Sequence, residues 1–173
     1  MQRVMVSNLE NILIPRIGDV GYDLVANSPP KIVGTPISEF SPYYSSIDYI
    51  EYVIDLKIAP PADHFSMIFP RSSLSKYRLS LCNSVGVIDN SYRGNIIVRF
   101  NYLSAPEDLK VFPAFHSFFP ESAIATEVNM DKIYKQGDKI AQLLFFPSTC
   151  LPLEMGELSE TERGAGGFGS TGA

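Results

Sequence analysis

The sequence predicts an all-β domain, a sandwich or barrel of short strands with one short helix. Two observations carry that expectation. Between Tyr49 and Ala59, Ile50, Tyr52, Ile54, Leu56 and Ile58 alternate with Glu51, Val53, Asp55 and Lys57, the period-two pattern of a strand with one face buried. Further runs rich in branched and aromatic residues recur at 65–69, 79–82, 95–101, 109–112 and 139–146, each bounded by Pro, Gly, Asn, Asp or Ser. Short strands broken by frequent turns pack as a sandwich or close as a barrel.

The remaining segments read differently. Only residues 72–78 invite a helix, opened by Ser72 and Ser73, whose hydroxyls can cap free N–H groups. Residues 29–46 are rich in Pro, Ser and Tyr and do not alternate, so they read as a long surface loop. Residues 105–136 are also irregular but carry Phe112, Phe115, Phe118 and Phe119, expected to pack on the body or on a neighbouring subunit. Residues 164–172, more than half glycine, would by composition be a flexible tail.

A chain of 173 residues can bury one substantial core. Its net charge of −5 argues against a nucleic-acid partner, since neutralising phosphates needs a basic surface, while a few local arginines can still hold a small anion. Cys82 and Cys150 are too few for a disulfide framework, and Cys82, in an apolar run, is expected to be a reduced core thiol. A reducing compartment, cytoplasm or nucleus, is therefore expected. No basic-then-apolar leader and no apolar run of spanning length is present, so neither export by that route nor membrane insertion is expected. His64 and His116 lack metal-ligand spacing and read as surface or loop residues.

Chemistry-bearing residues fall in five segments. Gly21-Tyr22-Asp23-Leu24 sets a carboxylate between a turn and a strand, which alone reads as a turn aspartate. Pro70-Arg71-Ser72-Ser73 offers a guanidinium fork and two hydroxyls at a strand-to-helix junction, suited to phosphate oxygens or to an ordinary helix cap. Residues 83–94 carry Asn83, Gly86, Val87, Ile88, Asp89, Tyr92 and Gly94 in what reads as a hairpin with a polar turn. Gln142 places an amide that needs partners in the apolar strand of residues 139–146. Arg163, Phe168, Gly169, Ser170 and Thr171 lie in the glycine-rich end, where glycine lets backbone approach phosphates.

In this order, from Gly21 to Gly172, the five segments resemble the signature motifs of the trimeric dUTPases. Val20, where the family usually has alanine, is a small departure. The resemblance implies a distorted jelly-roll-like barrel or sandwich spanning residues 1–160, with insertions near 29–46 and 105–136, and a C-terminal arm at 161–173 that closes over an active site. It implies a homotrimer that hydrolyses dUTP to dUMP and pyrophosphate with Mg2+. Asp89 would hold the attacking water, and Asp23 would orient the metal through water. Gly86, Val87, Ile88 and Ile97 would enclose uracil with help from Asn83, and Tyr92 would lie against the deoxyribose. Arg71, Ser72, Ser73, Gln142, Arg163, Ser170 and Thr171 would serve the phosphates, with Gly169 lending close backbone and Phe168 stacking on the base.

Two other readings stand beside this one. A dCTP deaminase of the same fold would need a glutamate on the strand after residue 94, where this sequence has Arg99. A catalytically silent regulatory relative would have lost Asp23, Asp89 or the arm, all of which are present.

Overall fold

The computed structural model describes residues 2–113, 123–149 and 151–166. Thirteen strands account for its regular structure: β1 (Met5–Val6), β2 (Ile12–Leu13), β3 (Tyr22–Val25), β4 (Lys31–Pro36), β5 (Tyr43–Ile54), β6 (Ile58–Ala59), β7 (His64–Pro70), β8 (Leu79–Leu81), β9 (Gly86–Ile88), β10 (Ile96–Tyr102), β11 (Leu109–Phe112), β12 (Ala123–Glu127) and β13 (Lys139–Pro147). Among the described residues there is no α-helix, only 3-10 turns at Ser72–Lys76, Pro106–Asp108 and Met130–Lys132.

Two antiparallel sheets make the sandwich, in the jelly-roll-like manner the family resemblance implies and without closing into a barrel. One runs β2-β3-β13-β7-β9, and the other runs β11-β12-β5-β10-β8 with β4 along the remaining edge of β5; β1 and β6 form a small separate pair. The alternation read in the sequence sets which face is inside. Ile50, Tyr52, Ile54, Leu56 and Ile58 are all buried, as are Ile96, Val98 and Phe100 on β10 and Leu24, Ile68, Ile140 and Leu143 from the first sheet. Burying a side chain of this size is worth about 1.5–3 kcal/mol, so this layer dominates the stability of the fold.

The expected loop at 29–46 is instead a β-hairpin, β4 on β5. Its residues reach beyond the core and therefore lack alternation, the signal on which the expectation rested. Gly34 marks the bulge in its ladder: a Cβ there would run into the Ser46 carbonyl. The irregular stretch 105–136 also contributes more than expected. Phe112 packs edge-on to Tyr43 at 5.1 Å between ring centroids. Val128, Ile133 and Tyr134 enter the core, with Tyr134 against Tyr77 at 4.2 Å and Phe100 at 5.6 Å. Phe115, Phe118, Phe119, His116 and Cys150 lie outside the described residues.

A polar hub fastens that stretch to the sandwich. Asp108, buried, accepts from Arg78 Nη1 at 2.8 Å through both of its carboxylate oxygens, from the Tyr102 hydroxyl at 2.8 Å and from the Ala105 N–H at 2.9 Å. Burial pushes its carboxyl pKa up, but these donors outweigh it and hold the group below the usual carboxylate value. Cys82 differs from the expected core thiol. It is exposed, with its Sγ 3.4 Å from Asn101 Oδ1, because it falls just past β8 on the outward side of that sheet.

Candidate active site

The motif residues gather in two places. The first is built on neighbouring strands of the β2-to-β9 sheet, where Asp23 of β3 pairs with Gln142 of β13, and Gln142 with Phe69 of β7. Arg71 follows directly at the end of β7. Its Nε donates to Asp23 Oδ1 at 2.9 Å, Lys139 Nζ lies 3.1 Å from Oδ2, and Gln142 Nε2 donates to Oδ1 at 3.4 Å. Burial raises the Asp23 pKa, and Lys139 and Arg71 more than reverse that, leaving it lowered. One Arg71 Nη also reaches Ser73 Oγ at 3.3 Å.

These groups line a recess of about 840 Å³ together with Arg16 and Asp19. Three cationic side chains face two carboxylates there, a balance that favours an anion. The 3-10 turn that follows Arg71 is begun by that residue and has no side-chain cap. The serine caps expected from the sequence are therefore absent: Ser72 is exposed and Ser73 turns its hydroxyl towards Arg71. No cluster of three or more His, Cys, Asp or Glu capable of holding a metal occurs among the described residues. Asp23, its oxygens already taken by Arg71 and Lys139, suits Mg2+ only as an outer-sphere partner, since Mg2+ keeps several waters and takes few protein oxygens.

The second place is the 83–94 segment. It is not the hairpin expected from the sequence: β9 pairs with β7 in one sheet, whereas β10 pairs with β5 and β8 in the other. The two arms therefore diverge around a cleft of about 210 Å³ lined by Asn83, Gly86, Val87, Ile88 and, opposite them, Ile96 and Ile97. Being last in its sheet, β9 has an outer edge paired with no strand among the described residues, so its main-chain donors and acceptors remain open on that side. Asp89 and Tyr92 stand at the same cleft. Tyr92 donates its hydroxyl to the Asn95 carbonyl at 2.9 Å, and Asp89 is exposed with no ion pair or side-chain hydrogen bond among the described residues.

The dUTPase family model matches residues 8–111 and 124–172. This chain belongs to the dUTPase family. Its sequence is 40% identical over 120 residues to the mitochondrial deoxyuridine 5'-triphosphate nucleotidohydrolase of Dictyostelium discoideum, covering 68% of this chain and 52% of that protein. It is 38% identical over 120 residues to the enzyme of the same name from Desulfitobacterium hafniense, covering 65% and 60%, and 34% identical over 161 residues to that of Dinoroseobacter shibae, covering 90% and 83%. The chain thus spans little more than half the length of the first two relatives. Among solved structures, the Staphylococcus bacteriophage 80alpha dUTPase with dUpNHpp aligns with a TM-score of 0.68 at 22% identity over 100% of both chains. The dUTPase of phage phi11 of S. aureus, described with a structural Mg(II) ion, aligns with a TM-score of 0.59 at 21% identity over 92% and 99%. Identities this low speak to the shared fold.

Within this dUTPase-family fold the two groups of motif residues lie far apart. Asp23, Gln142 and Phe69 stand side by side across the sheet, and β9 is one strand further on. Continuing the β7–β9 register sets Asp89 opposite Phe65, four residues along β7 from Phe69. Three strand spacings across and four residues along correspond to about 14 Å and about 13 Å, hence on the order of 20 Å between the two aspartates.

Of the arm, Arg163 is exposed, its Nε donating to the Gly166 carbonyl at 3.0 Å, while Phe168, Gly169, Ser170 and Thr171 lie outside the described residues. Arg99, at the position where a deaminase would need glutamate, is tied to Glu51 by two 2.8 Å contacts. Sequence reasoning missed Lys139, Asn90 and Gly94 as site residues. Lys139 begins the strand that carries Gln142, and only its contact with Asp23 singles it out; Asn90 reaches the Pro61 and His64 carbonyls and Gly94 lies against the Tyr92 ring, contacts that no local pattern reveals.

Proposed function

We propose that this chain is a magnesium-dependent dUTP diphosphatase, active as a homotrimer, that yields dUMP and pyrophosphate. The observation that carries the reading is the open edge of β9 facing Ile96 and Ile97 across a narrow cleft, with Asp89 and Tyr92 at hand.

A free strand edge presents fixed N–H and C=O groups, which suit uracil and penalise cytosine, whose reversed donor pattern would leave buried groups unpaired. The close apolar walls disfavour thymine's methyl group, and Tyr92 disfavours a ribose 2'-hydroxyl. Asp89, exposed and unpaired among the described residues, is suited to hold water for in-line attack on the α-phosphorus and to take its proton. Arg71, Ser73 and Gln142 supply donors for the phosphate chain, where negative charge grows as pyrophosphate leaves. Ser72 and the arm residues Arg163, Phe168, Gly169, Ser170 and Thr171 add to that grip. Bound Mg2+ would screen the phosphate charge, with Asp23 orienting it through water.

A separation of about 20 Å between Asp89 and Asp23 argues that one nucleotide is served by the cleft of one subunit and the cationic recess of another. The tail supports an exchange between subunits: Leu151, Leu153, Met155 and Leu158 are 76%, 99%, 100% and 95% exposed, an apolar run that one chain alone leaves in water. On this reading residues 1–160 form the body and 161–173 the closing arm, and the enzyme works in a reducing compartment such as cytoplasm or nucleus. The test measures pyrophosphate release from dUTP, dTTP, dCTP and UTP with and without Mg2+, beside sedimentation. Strong preference for dUTP with Mg2+, on a trimer, is expected; equal turnover of dTTP, or deamination of dCTP, would sink the reading.

A further inference from the structure

In tight turns an asparagine side chain ordinarily bonds its own backbone. Asn90 does something else. Its Nδ2 donates to the carbonyls of Pro61 at 2.7 Å and His64 at 2.8 Å, and lies 3.3 Å from that of Pro60. Pro60 and Pro61 lie in the connection from β6 into β7 and His64 opens β7, all far from Asn90 in sequence.

The placement follows the ladder. The last rung between β9 and β7 pairs Ile88 with Ser66, and two residues further the register would set Asn90 opposite His64. The side-chain amide thus substitutes for the next rung. Asp89 is fixed on both sides, by the ladder through Ile88 and by this amide through Asn90, while the turn closes with the Tyr92 N–H on the Asp89 carbonyl at 3.1 Å. The platform it grips is itself stiff. Pro60 and Pro61 have restricted backbones, the Pro61 carbonyl also accepts from the His64 N–H at 2.9 Å, and the Ser148 N–H donates to the Asp63 carbonyl at 2.7 Å.

We infer that Asn90 is a positioning residue that aims the Asp89 carboxylate, with no contact of its own with the nucleotide. This rests on the reading of Asp89 as the group that holds the attacking water. Since a misplacement of about 1 Å can cost roughly a hundredfold in rate, loss of the clamp acts on turnover, whereas the base-binding edge, held by its own ladder, keeps its affinity.

The test compares wild type, Asn90→Ala and Asn90→Asp for kcat on dUTP, for the Kd of the non-hydrolysable α,β-imido-dUTP and for Tm. For Asn90→Ala we expect kcat to fall about 10- to 100-fold, with Kd within about twofold and little change in Tm. Asn90→Asp, which points a carboxylate without donors at three carbonyls, is expected to fall further. A kcat for Asn90→Ala within about twofold of wild type overturns the inference, as does a parallel collapse of kcat, affinity and Tm. If wild type itself releases no pyrophosphate from dUTP, the function proposed above fails first, and this inference with it.

Discussion

Asp23 and Asp89 are the two carboxylates that the family motifs single out, and the fold treats them in opposite ways. Asp23 sits between Arg71 and Lys139 with its side chain 16% exposed and its pKa lowered, whereas Asp89 stands in the open beside a cleft and is left unpaired among the described residues. A carboxylate whose lone pairs are already occupied is poorly placed to accept a proton, but it can orient charges around it. One left free beside the substrate can hold and deprotonate water. The difference teaches that, on the function proposed here, pairing more than residue type would divide the labour.

The largest effect should come from Asp89→Asn, which keeps the shape and removes the proposed base: kcat for dUTP is expected to fall about 10²- to 10⁴-fold, with Tm unchanged. Turnover within tenfold of wild type, measured as pyrophosphate release, would break the contrast. Next, Asp23→Asn should raise the Mg2+ concentration for half-maximal rate by about tenfold, in line with the effect of losing an outer-shell metal partner. An unchanged magnesium titration would mean the ion does not lean on Asp23.

Asp23 should also show in acid. Its folded-state pKa lies below the ordinary value of 3.8, so its contribution to stability is complete above that value and drains away as pH drops through the lowered one. Urea unfolding of wild type and Asp23→Asn should therefore differ most near neutrality and converge in strong acid. The smallest effect is expected from Lys139→Met. Its Nζ is one of two cations on Asp23 and is partly exposed, and such pairs are worth about 1 kcal/mol or less, or up to about fivefold in rate. A loss beyond tenfold would place Lys139 on the substrate itself.

Much of this was legible in the sequence, for identifiable reasons. The inward residues of β5 and β10 alternate because one face of each strand is buried, so those strands could be read directly. The hairpin of β4 and β5 could not, because Tyr43, Tyr44, Ser45 and Ser46 do not face a common core and carry no period. Tyr134 likewise hides in an irregular stretch, and it is packing against Tyr77 and Phe100 that makes it core. At the site, Asp23, Arg71, Gln142 and Asp89 stood out through their motifs. That the arms of residues 83–94 part into different sheets depends on partners distant in sequence, which local patterning does not encode.

Gly94 lies directly under the Tyr92 ring: a Cβ added there would come within 2.6 Å of Tyr92 Cζ and closer still to the hydroxyl. Selectivity between the two sugars, on the function proposed here, thus depends on an empty volume as well as on the hydroxyl's bond to the Asn95 carbonyl. One added methyl group, Gly94→Ala, would lift the tyrosine from its seat, and the variant should begin to accept UTP while still refusing dTTP. A gatekeeper held in place by the smallest residue in the chain offers a route by which a DNA-precursor enzyme could drift towards ribonucleotides in a single step.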